Sequence, residues 1–217
     1  MPSFGTVLFD CDSTLSTIEG VEELAGSRLE RITELTDLAM DGSVLLEEVY
    51  GLRLEQVRPT RRMVEDLGKR YIETLVPDAV RVVSELQAAG REVRIVSGGL
   101  KPAVALLGLH LGLGPDAVAA VDIEFDADGA YSGFDAASPL AHGGGKRQVI
   151  EDWKPSLPPP IMLVGDGATD LAAKPAVDLF VAFTGVVARP AIAEAADRIV
   201  AGPSLLPVLD LALGVEP

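Results

Sequence analysis

Two carboxylates lie one residue apart in the segment TVLFDCDSTL, which covers residues 6–15. Asp10 and Asp12 directly follow an apolar run that is typical of a buried strand, and two hydroxyl residues come after them. Two neighbouring carboxylates repel each other, so burying them is costly unless a cation or a proton lowers their charge. The segment therefore predicts that something positive lies beside this pair.

Two further aspartates, Asp166 and Asp170, lie in the segment VGDGATD. Taken singly, an aspartate at the end of a strand is often a helix cap or part of a turn. Three hard oxygen ligands in one acidic crevice are, however, the set that Mg²⁺ prefers. If the two aspartate segments meet in the fold, the sequence predicts a Mg²⁺ site between them.

The elements that must bring these carboxylates together are short apolar runs, each followed at once by polar residues or glycine. The runs cover residues 7–9, 93–96 and 161–164, and the residues after them are DCDST, SGG and GDGATD. Between the first two runs, residues 78–90 read as an amphipathic helix with Val80, Val83 and Leu86 on one face and Gly90 at its end. This β-α-β order predicts an α/β fold with a doubly wound, Rossmann-like parallel sheet. Ligands of such sheets bind beyond the carboxyl ends of the strands, so we expect the three polar clusters to converge on one site.

Two segments interrupt this alternation. Residues 16–75 are helical by composition and too long for an ordinary crossover, which predicts an inserted helical cap. Residues 121–135 alternate apolar and polar positions around the turn sequence DADG, which predicts a small β-hairpin flap. We therefore expect a catalytic core formed by residues 1–15 and 76–217, with a cap formed by residues 16–75.

Composition and charge limit the classes of partner. Of the 217 residues 48% are hydrophobic, and 18 basic against 33 acidic residues give a net charge of −15. Such a field repels nucleic acids and anionic lipid head groups, so we expect neither as a partner. No apolar run reaches the about 18 residues of a membrane span, and no basic stretch precedes an apolar segment at the start, which predicts a cytoplasmic protein. The single cysteine, Cys11, excludes an internal disulfide, and the sequence leaves a monomer and a homodimer equally open.

The segments DCDST, SGG, GGGK and GDGATD resemble, in this order, the four motifs of the haloacid dehalogenase superfamily, and more narrowly those of its phosphoserine phosphatases. The resemblance covers nearly the whole chain. It implies a Mg²⁺-dependent hydrolysis of O-phospho-L-serine to serine and phosphate through an aspartyl-phosphate intermediate, which is the last step of serine biosynthesis.

The resemblance also implies roles for the residues of these motifs. Asp10 is expected to be the nucleophile, and Asp12 the general acid and base. Lys146 is expected to pair with the phosphate and with the nucleophile. The metal ion would be held by Asp10, by the backbone carbonyl of Asp12 and by Asp166, with Asp170 as a supporting carboxylate.

The remaining expectations concern the substrate. By resemblance Ser97 and Gly98 hold phosphoryl oxygens, Glu19 receives the amino group and Arg53 the carboxylate. A guanidinium grips a carboxylate with two hydrogen bonds, which suits that role; as isolated residues, Glu19 could equally cap a helix and Arg53 could lie on the surface. Further substrate-side positions implied by the resemblance are Met40, Thr169 and Arg189. Leu46 stands where many family members have a phenylalanine that shields the site.

Two other functions stay open at this point. The first is a phosphatase or phosphotransferase for another small phosphomonoester, since the core motifs define the chemistry while the cap defines the substrate. The second is a non-catalytic receiver-like module that also carries a phosphorylated aspartate and a lysine. Asp12 and a cap of residues 16–75 argue against the second, because a switch module requires neither.

Overall fold

Strands and helices alternate along the chain, and the computed structural model describes residues 3–26, 29–40 and 43–215, apart from the side chains of residues 31, 39 and 40. The strands are β1 (Thr6–Phe9), β2 (Glu92–Leu100), β3 (Val118–Val121), β4 (Ile123–Phe125), β5 (Tyr131–Phe134), β6 (Ile161–Gly165), β7 (Leu179–Phe183) and β8 (Arg198–Val200). The helices are α1 (Gly20–Glu23), α2 (Leu29–Met40), α3 (Leu46–Val57), α4 (Arg61–Glu73), α5 (Ala79–Ala88), α6 (Lys101–His110), α7 (Gly145–Trp153), α8 (Ala168–Ala173), α9 (Pro190–Ala195) and α10 (Leu206–Leu213). Within the described ranges, none of these helices is long and apolar enough to cross a membrane.

Six strands form one parallel sheet in the order β3-β2-β1-β6-β7-β8. Every residue of β1 and β6 is buried, as expected for central strands covered by helices on both faces. Phe9 at the end of β1 is aligned with Ile95 of β2 and with Val164 of β6. The predicted α/β fold with a parallel sheet is therefore confirmed, and the polar segments after these strands meet at one edge.

Two details of the sequence prediction are wrong. The second strand was expected to end at residue 96, but β2 continues to Leu100, because the SGG segment lies within it and Leu100 still pairs with Val121 of β3. In α5, Val80 was expected to face the core, but its side chain is 47% exposed. Helix α5 packs instead through Ala79, Val82, Val83 and Leu86.

Helices α1 to α4 form a helical insertion between β1 and α5. The chain leaves and returns at adjacent points, because Ser16 and Leu75 form an antiparallel bridge and the Val76 amide donates to the Leu15 carbonyl at 2.9 Å. Helix α4 packs against α6, which follows the central strand β2. The division into a core of residues 1–15 and 76–217 and a cap of residues 16–75 stays a prediction.

The predicted hairpin is present as β4 and β5, which pair in antiparallel fashion around residues 126–130. Gly129 takes a positive φ of 81° in the turn, a conformation that glycine adopts without strain. The hairpin packs on the helical insertion: the rings of Phe134 and Tyr50 are 5.2 Å apart, and Arg61 lies 4.9 Å above the ring of Phe125. The hairpin is therefore packed against helices α3 and α4 of the insertion.

Candidate active site

The carboxylates of the two aspartate segments meet at the carboxyl edge of the sheet. Asp10 follows β1 and Asp166 follows β6, and these strands are neighbours; the Asp10 amide donates to the Val164 carbonyl at 2.9 Å. Asp170, near the start of α8, completes the group. One carboxylate oxygen from each of the three aspartates lies within 4.8 Å of the others, and all three side chains are buried.

A buried lysine lies against this group. Lys146 is in the first turn of α7, and its side chain is only 5% exposed. Its Nζ lies 2.8 Å from Oδ2 of Asp10 and donates to Oδ1 of Asp170 at 2.7 Å. Burial alone would lower the pKa of Lys146, but the charges of Asp10 and Asp170 outweigh it and raise that pKa above its usual value. Lys146 is therefore a fixed ammonium between two carboxylates.

The glycine-rich turn after β6 shapes the position of Asp170. The Gly167 amide donates to Oδ2 of Asp170 at 3.1 Å. Gly165 has to lack a side chain, because a Cβ there would collide with the Asp170 carboxyl group. Burial raises the pKa of Asp170 to about 6, although Lys146 acts in the opposite direction.

The raised pKa of Asp166 indicates that additional positive charge would stabilise this group of carboxylates. Thr14 Oγ1 donates to its Oδ1 at 3.3 Å, and Arg189 donates to its Oδ2. Even so, burial raises the pKa of Asp166 to about 8, against the opposing effect of Arg189. A buried set of three hard carboxylate ligands fits a divalent cation, which would favour the ionised forms of Asp166 and Asp170.

Asp12 has different surroundings from the other aspartates. Its Oδ1 accepts two hydrogen bonds, from the Tyr71 hydroxyl at 2.6 Å and from the Gly20 amide at 2.8 Å. Burial, and then the charge of Asp10, raise the pKa of Asp12 to about 6. A carboxyl group with this pKa can both hold and release a proton near neutral pH.

A cavity opens above these groups, between the edge of the sheet and the helical insertion. It is lined by eight of the residues singled out from the sequence as site residues: Asp10, Asp12, Glu19, Arg53, Gly98, Lys146, Asp166 and Thr169. Leu46 also lines it. Asp170 lies beneath, fully buried.

Glu19 and Arg53 bring opposite charges to this cavity. Ser13 Oγ donates to Oε1 of Glu19 at 2.8 Å, and burial followed by the charge of Asp12 raises the pKa of Glu19 well above its usual value. Arg53 is buried on α3, and its Nη1 donates to Thr36 Oγ1 at 3.0 Å. Among the described residues, none accepts a hydrogen bond from the buried Nε of Arg53.

Two of the predicted substrate contacts are not among the described residues that line the cavity, and the side chain of a third is not described. Ser97 is fully buried, and its Oγ accepts from the Gly99 amide at 3.0 Å. Arg189 contacts Asp166, and its Nη2 lies 3.8 Å from Oε1 of Glu19. Met40 ends α2, but its side chain lies outside the described residues. Their assignment to substrate binding stays a prediction.

Sequence reasoning did not single out three hydroxyl groups at this site. Besides Tyr71 and Thr36, these include Tyr50, whose hydroxyl donates to the Gly98 carbonyl at 2.9 Å and whose side chain lines the cavity. All three residues lie on helices of the insertion. On an amphipathic helix a buried tyrosine follows the same spacing as a core residue, so only the folded chain shows that its hydroxyl has a polar partner.

Comparisons with known proteins agree with this geometry. The family model described as haloacid dehalogenase-like hydrolase matches residues 7–173. The phosphoserine phosphatase of Drosophila melanogaster is 37% identical over 196 residues, which cover 86% of this chain and 70% of that protein. A solved structure described as a phospho-aspartyl intermediate analogue of phosphoserine phosphatase is 27% identical with a TM-score of 0.83, and covers 99% of this chain and 100% of its own. A substrate-bound phosphoserine phosphatase complex is 26% identical with a TM-score of 0.85, and both chains are covered completely. The chain belongs to the haloacid dehalogenase-like hydrolase family.

Proposed function

We propose that this chain is a metal-dependent phosphatase that hydrolyses O-phospho-L-serine to serine and phosphate. The observation that carries the proposal is one cavity with an acidic group and a lysine at its base and with Glu19 and Arg53 in its wall. The base suits phosphoryl transfer, and the wall offers an anion and a cation to an amino acid. The similarity to phosphoserine phosphatases over most of the chain supports the same substrate.

We assign Mg²⁺ as the metal ion, because its preferred ligands are hard oxygens. Asp10 and Asp166 are the carboxylates best placed to hold it, since both line the cavity, whereas Asp170 is fully buried and accepts from Lys146 and from the Gly167 amide. The backbone carbonyl of Asp12 is the third predicted ligand. When bound, the ion would neutralise negative charge on the phosphoryl group and on the nucleophile.

The protein groups then perform the reaction in two steps. In the first, a carboxylate oxygen of Asp10 forms a bond to phosphorus while the bond to the serine oxygen breaks, and Asp12 gives its proton to that oxygen. In the second, water attacks the phosphorus of the aspartyl phosphate and Asp12 takes a proton from the water. The bond between phosphorus and the Asp10 oxygen breaks, so phosphate leaves and the Asp10 carboxylate is restored. Lys146 supports both steps, because its ammonium lies 2.8 Å from Oδ2 of Asp10 and offsets the charge that gathers there.

In this mechanism, residues of the helical insertion, which is the proposed cap, recognise the substrate. The ammonium group of phosphoserine would favour the ionised form of Glu19, whose pKa is raised in the absence of such a partner. The carboxylate would take the free donor capacity of the Arg53 guanidinium, one of whose buried nitrogens has no partner in the described part of the chain. This enzyme would catalyse the last step of serine biosynthesis.

Steady-state rates on a panel of phosphorylated amino acids, sugars and phosphocholine test this function. We expect phosphoserine to give the highest kcat/KM, and Arg53→Ala to raise KM for phosphoserine far more than it lowers kcat. Arg58→Ala is the matched control, because Arg58 lies just after the same helix and its side chain is 60% exposed in a pair with Glu55. Asp10→Asn should abolish turnover.

A preference for a phosphate ester without amino and carboxyl groups would overturn the substrate assignment and favour another phosphomonoester. An active Asp10→Asn protein would contradict the nucleophile assignment. A single stoichiometric phosphorylation without sustained phosphate release would instead identify a receiver-like module.

A further inference from the structure

Among the described residues, two groups donate hydrogen bonds to the Asp12 carboxyl group, and both belong to the helical insertion. The Gly20 amide at the start of α1 and the Tyr71 hydroxyl near the end of α4 both donate to Oδ1. The other oxygen, Oδ2, faces Gly99, since a side chain built at Gly99 would begin 3.3 Å from it. Gly99 itself lines the cavity. The two oxygens of Asp12 therefore have separate surroundings.

The contact with Tyr71 is closely fitted. Tyr71 is fully buried, and its oxygen lies 2.6 Å from Oδ1 of Asp12, the short distance of a charge-assisted O–H···O bond. Only glycine fits at position 20 beside this contact, because a Cβ there would collide with the Tyr71 hydroxyl. Glycine at this position thus allows both donors to reach the same oxygen.

We propose that Tyr71 is a positioning residue for the proton transfers of Asp12, an inference that rests on the proposed phosphatase function. A carbonyl-type oxygen has two lone pairs, so Oδ1 can accept from Tyr71 and Gly20 whether or not the carboxyl group carries its proton on Oδ2. The tyrosine hydroxyl fixes Oδ1 and leaves Oδ2 directed at the reacting groups. In the first step the Oδ2 proton passes to the serine oxygen as the P–O bond breaks. In the second step Oδ2 takes a proton from the attacking water.

This role differs from ordinary core packing in a measurable way. The oxygen that leaves from phosphoserine is an alkoxide, which needs a proton as the bond breaks. The oxygen that leaves from acetyl phosphate is a stable carboxylate, which needs none. The value of kcat/KM reports the steps up to the first phosphoryl transfer. Displacement of Asp12 should therefore lower kcat/KM for phosphoserine and leave kcat/KM for acetyl phosphate nearly unchanged.

The test compares Tyr71→Phe with the wild-type protein on both substrates. We expect kcat/KM for phosphoserine to fall roughly ten- to hundredfold, the effect of losing one hydrogen bond to a charged group. For acetyl phosphate we expect a fall of less than about threefold, since no proton is transferred. Phenylalanine keeps the ring, and the melting temperature of the variant checks that the fold survives.

Two further variants complete the experiment. Gly20→Ala displaces the same hydroxyl by collision and should give the same difference in kcat/KM between the two substrates. It replaces Tyr71→Phe in the test if that variant folds poorly. Tyr131→Phe is the control, because it removes a tyrosine hydroxyl from the hairpin, outside the residues that line the cavity. It should leave both kcat/KM values unchanged.

If Tyr71→Phe lowers kcat/KM equally for both substrates, Tyr71 is a structural residue and the proposal is overturned. Unchanged kcat/KM values for both substrates would overturn it as well. An error in the phosphoserine assignment can be distinguished from an error in the role of Tyr71. If the wild-type protein prefers another alkyl phosphate, the comparison with acetyl phosphate is made with that ester and the expectation for Tyr71 is the same. A wild-type protein that hydrolyses acetyl phosphate and no alkyl phosphate would overturn both proposals.

Discussion

Replacing the buried lysine tests the electrostatic interpretation of the site most directly. Lys146→Met keeps an unbranched side chain of similar length and removes the ammonium that lies 2.8 Å from Asp10 and 2.7 Å from Asp170. Loss of one partner from a buried ion pair leaves an uncompensated charge and costs about 3–5 kcal/mol. We expect that loss in the free energy of unfolding of the metal-free protein at about pH 8, where the carboxylates are ionised most fully.

The loss should shrink as the pH falls. Burial already raises the folded-state pKa values of Asp166 and Asp170 to about 8 and about 6, and Lys146 acts to lower both. Without the lysine these pKa values rise further, so the folded state binds more protons than the unfolded chain above the ordinary carboxyl pKa of about 4. Stability of the variant therefore falls with rising pH across that window. At about pH 4 most of the penalty is absent, because the folded-state carboxyls of the variant are then protonated and leave no uncompensated charge.

Urea denaturation in the presence of EDTA, repeated from about pH 5 to about pH 8, measures this difference. The matched control is Lys69→Met, which removes an ammonium 2.6 Å from Asp66 where both side chains are more than half exposed. An exposed pair of this kind contributes about 0–1 kcal/mol. A Lys146→Met loss below about 1 kcal/mol at high pH would refute the electrostatic account. A loss independent of pH would assign the effect to packing.

Two more outcomes follow from the site. The half-saturating Mg²⁺ concentration, measured from activity, should increase as the pH is lowered from about 8 to about 6, because protons then compete with the metal for Asp166, whose pKa is raised to about 8. A constant value across this range would contradict the raised pKa. Tyr50→Phe should lower the free energy of unfolding by about 0.5–1.5 kcal/mol, because the Gly98 carbonyl loses a hydrogen bond from α3. An unchanged urea midpoint would show that this contact contributes no stability.

The sequence was most informative where a local pattern and the topology agree. An apolar run followed by aspartate defines the end of a buried strand, and the parallel order then brings Asp10 and Asp166 to adjacent strand ends. Lys146 was found through motif order, since an isolated lysine is usually on the surface. Its burial between two carboxylates depends on residues 24 and 136 positions away, which no local pattern contains.

The errors have equally specific causes. Val80 fits the helical spacing of a core position, but the buried face of α5 is centred on Val82, Val83 and Leu86. The SGG segment looks like a strand end because glycine is unfavourable inside strands, yet pairing with β3 continues to Leu100. Tyr71 was missed because the identity of its polar partner depends on the helical insertion returning to Asp12, three residues after the end of β1.

The position of Asp12 changes how the helical insertion should be understood. An inserted cap is expected to act on substrate recognition alone, and Arg53, which lines the cavity from α3, is proposed for that role. Asp12, by contrast, belongs to the strand end but takes both hydrogen bonds to Oδ1 from the insertion. Substitutions in the same four helices should therefore divide into two kinetic classes. Those near Arg53 raise KM, whereas those that move Tyr71 or Gly20 slow the protonation of the leaving oxygen even when phosphoserine still binds.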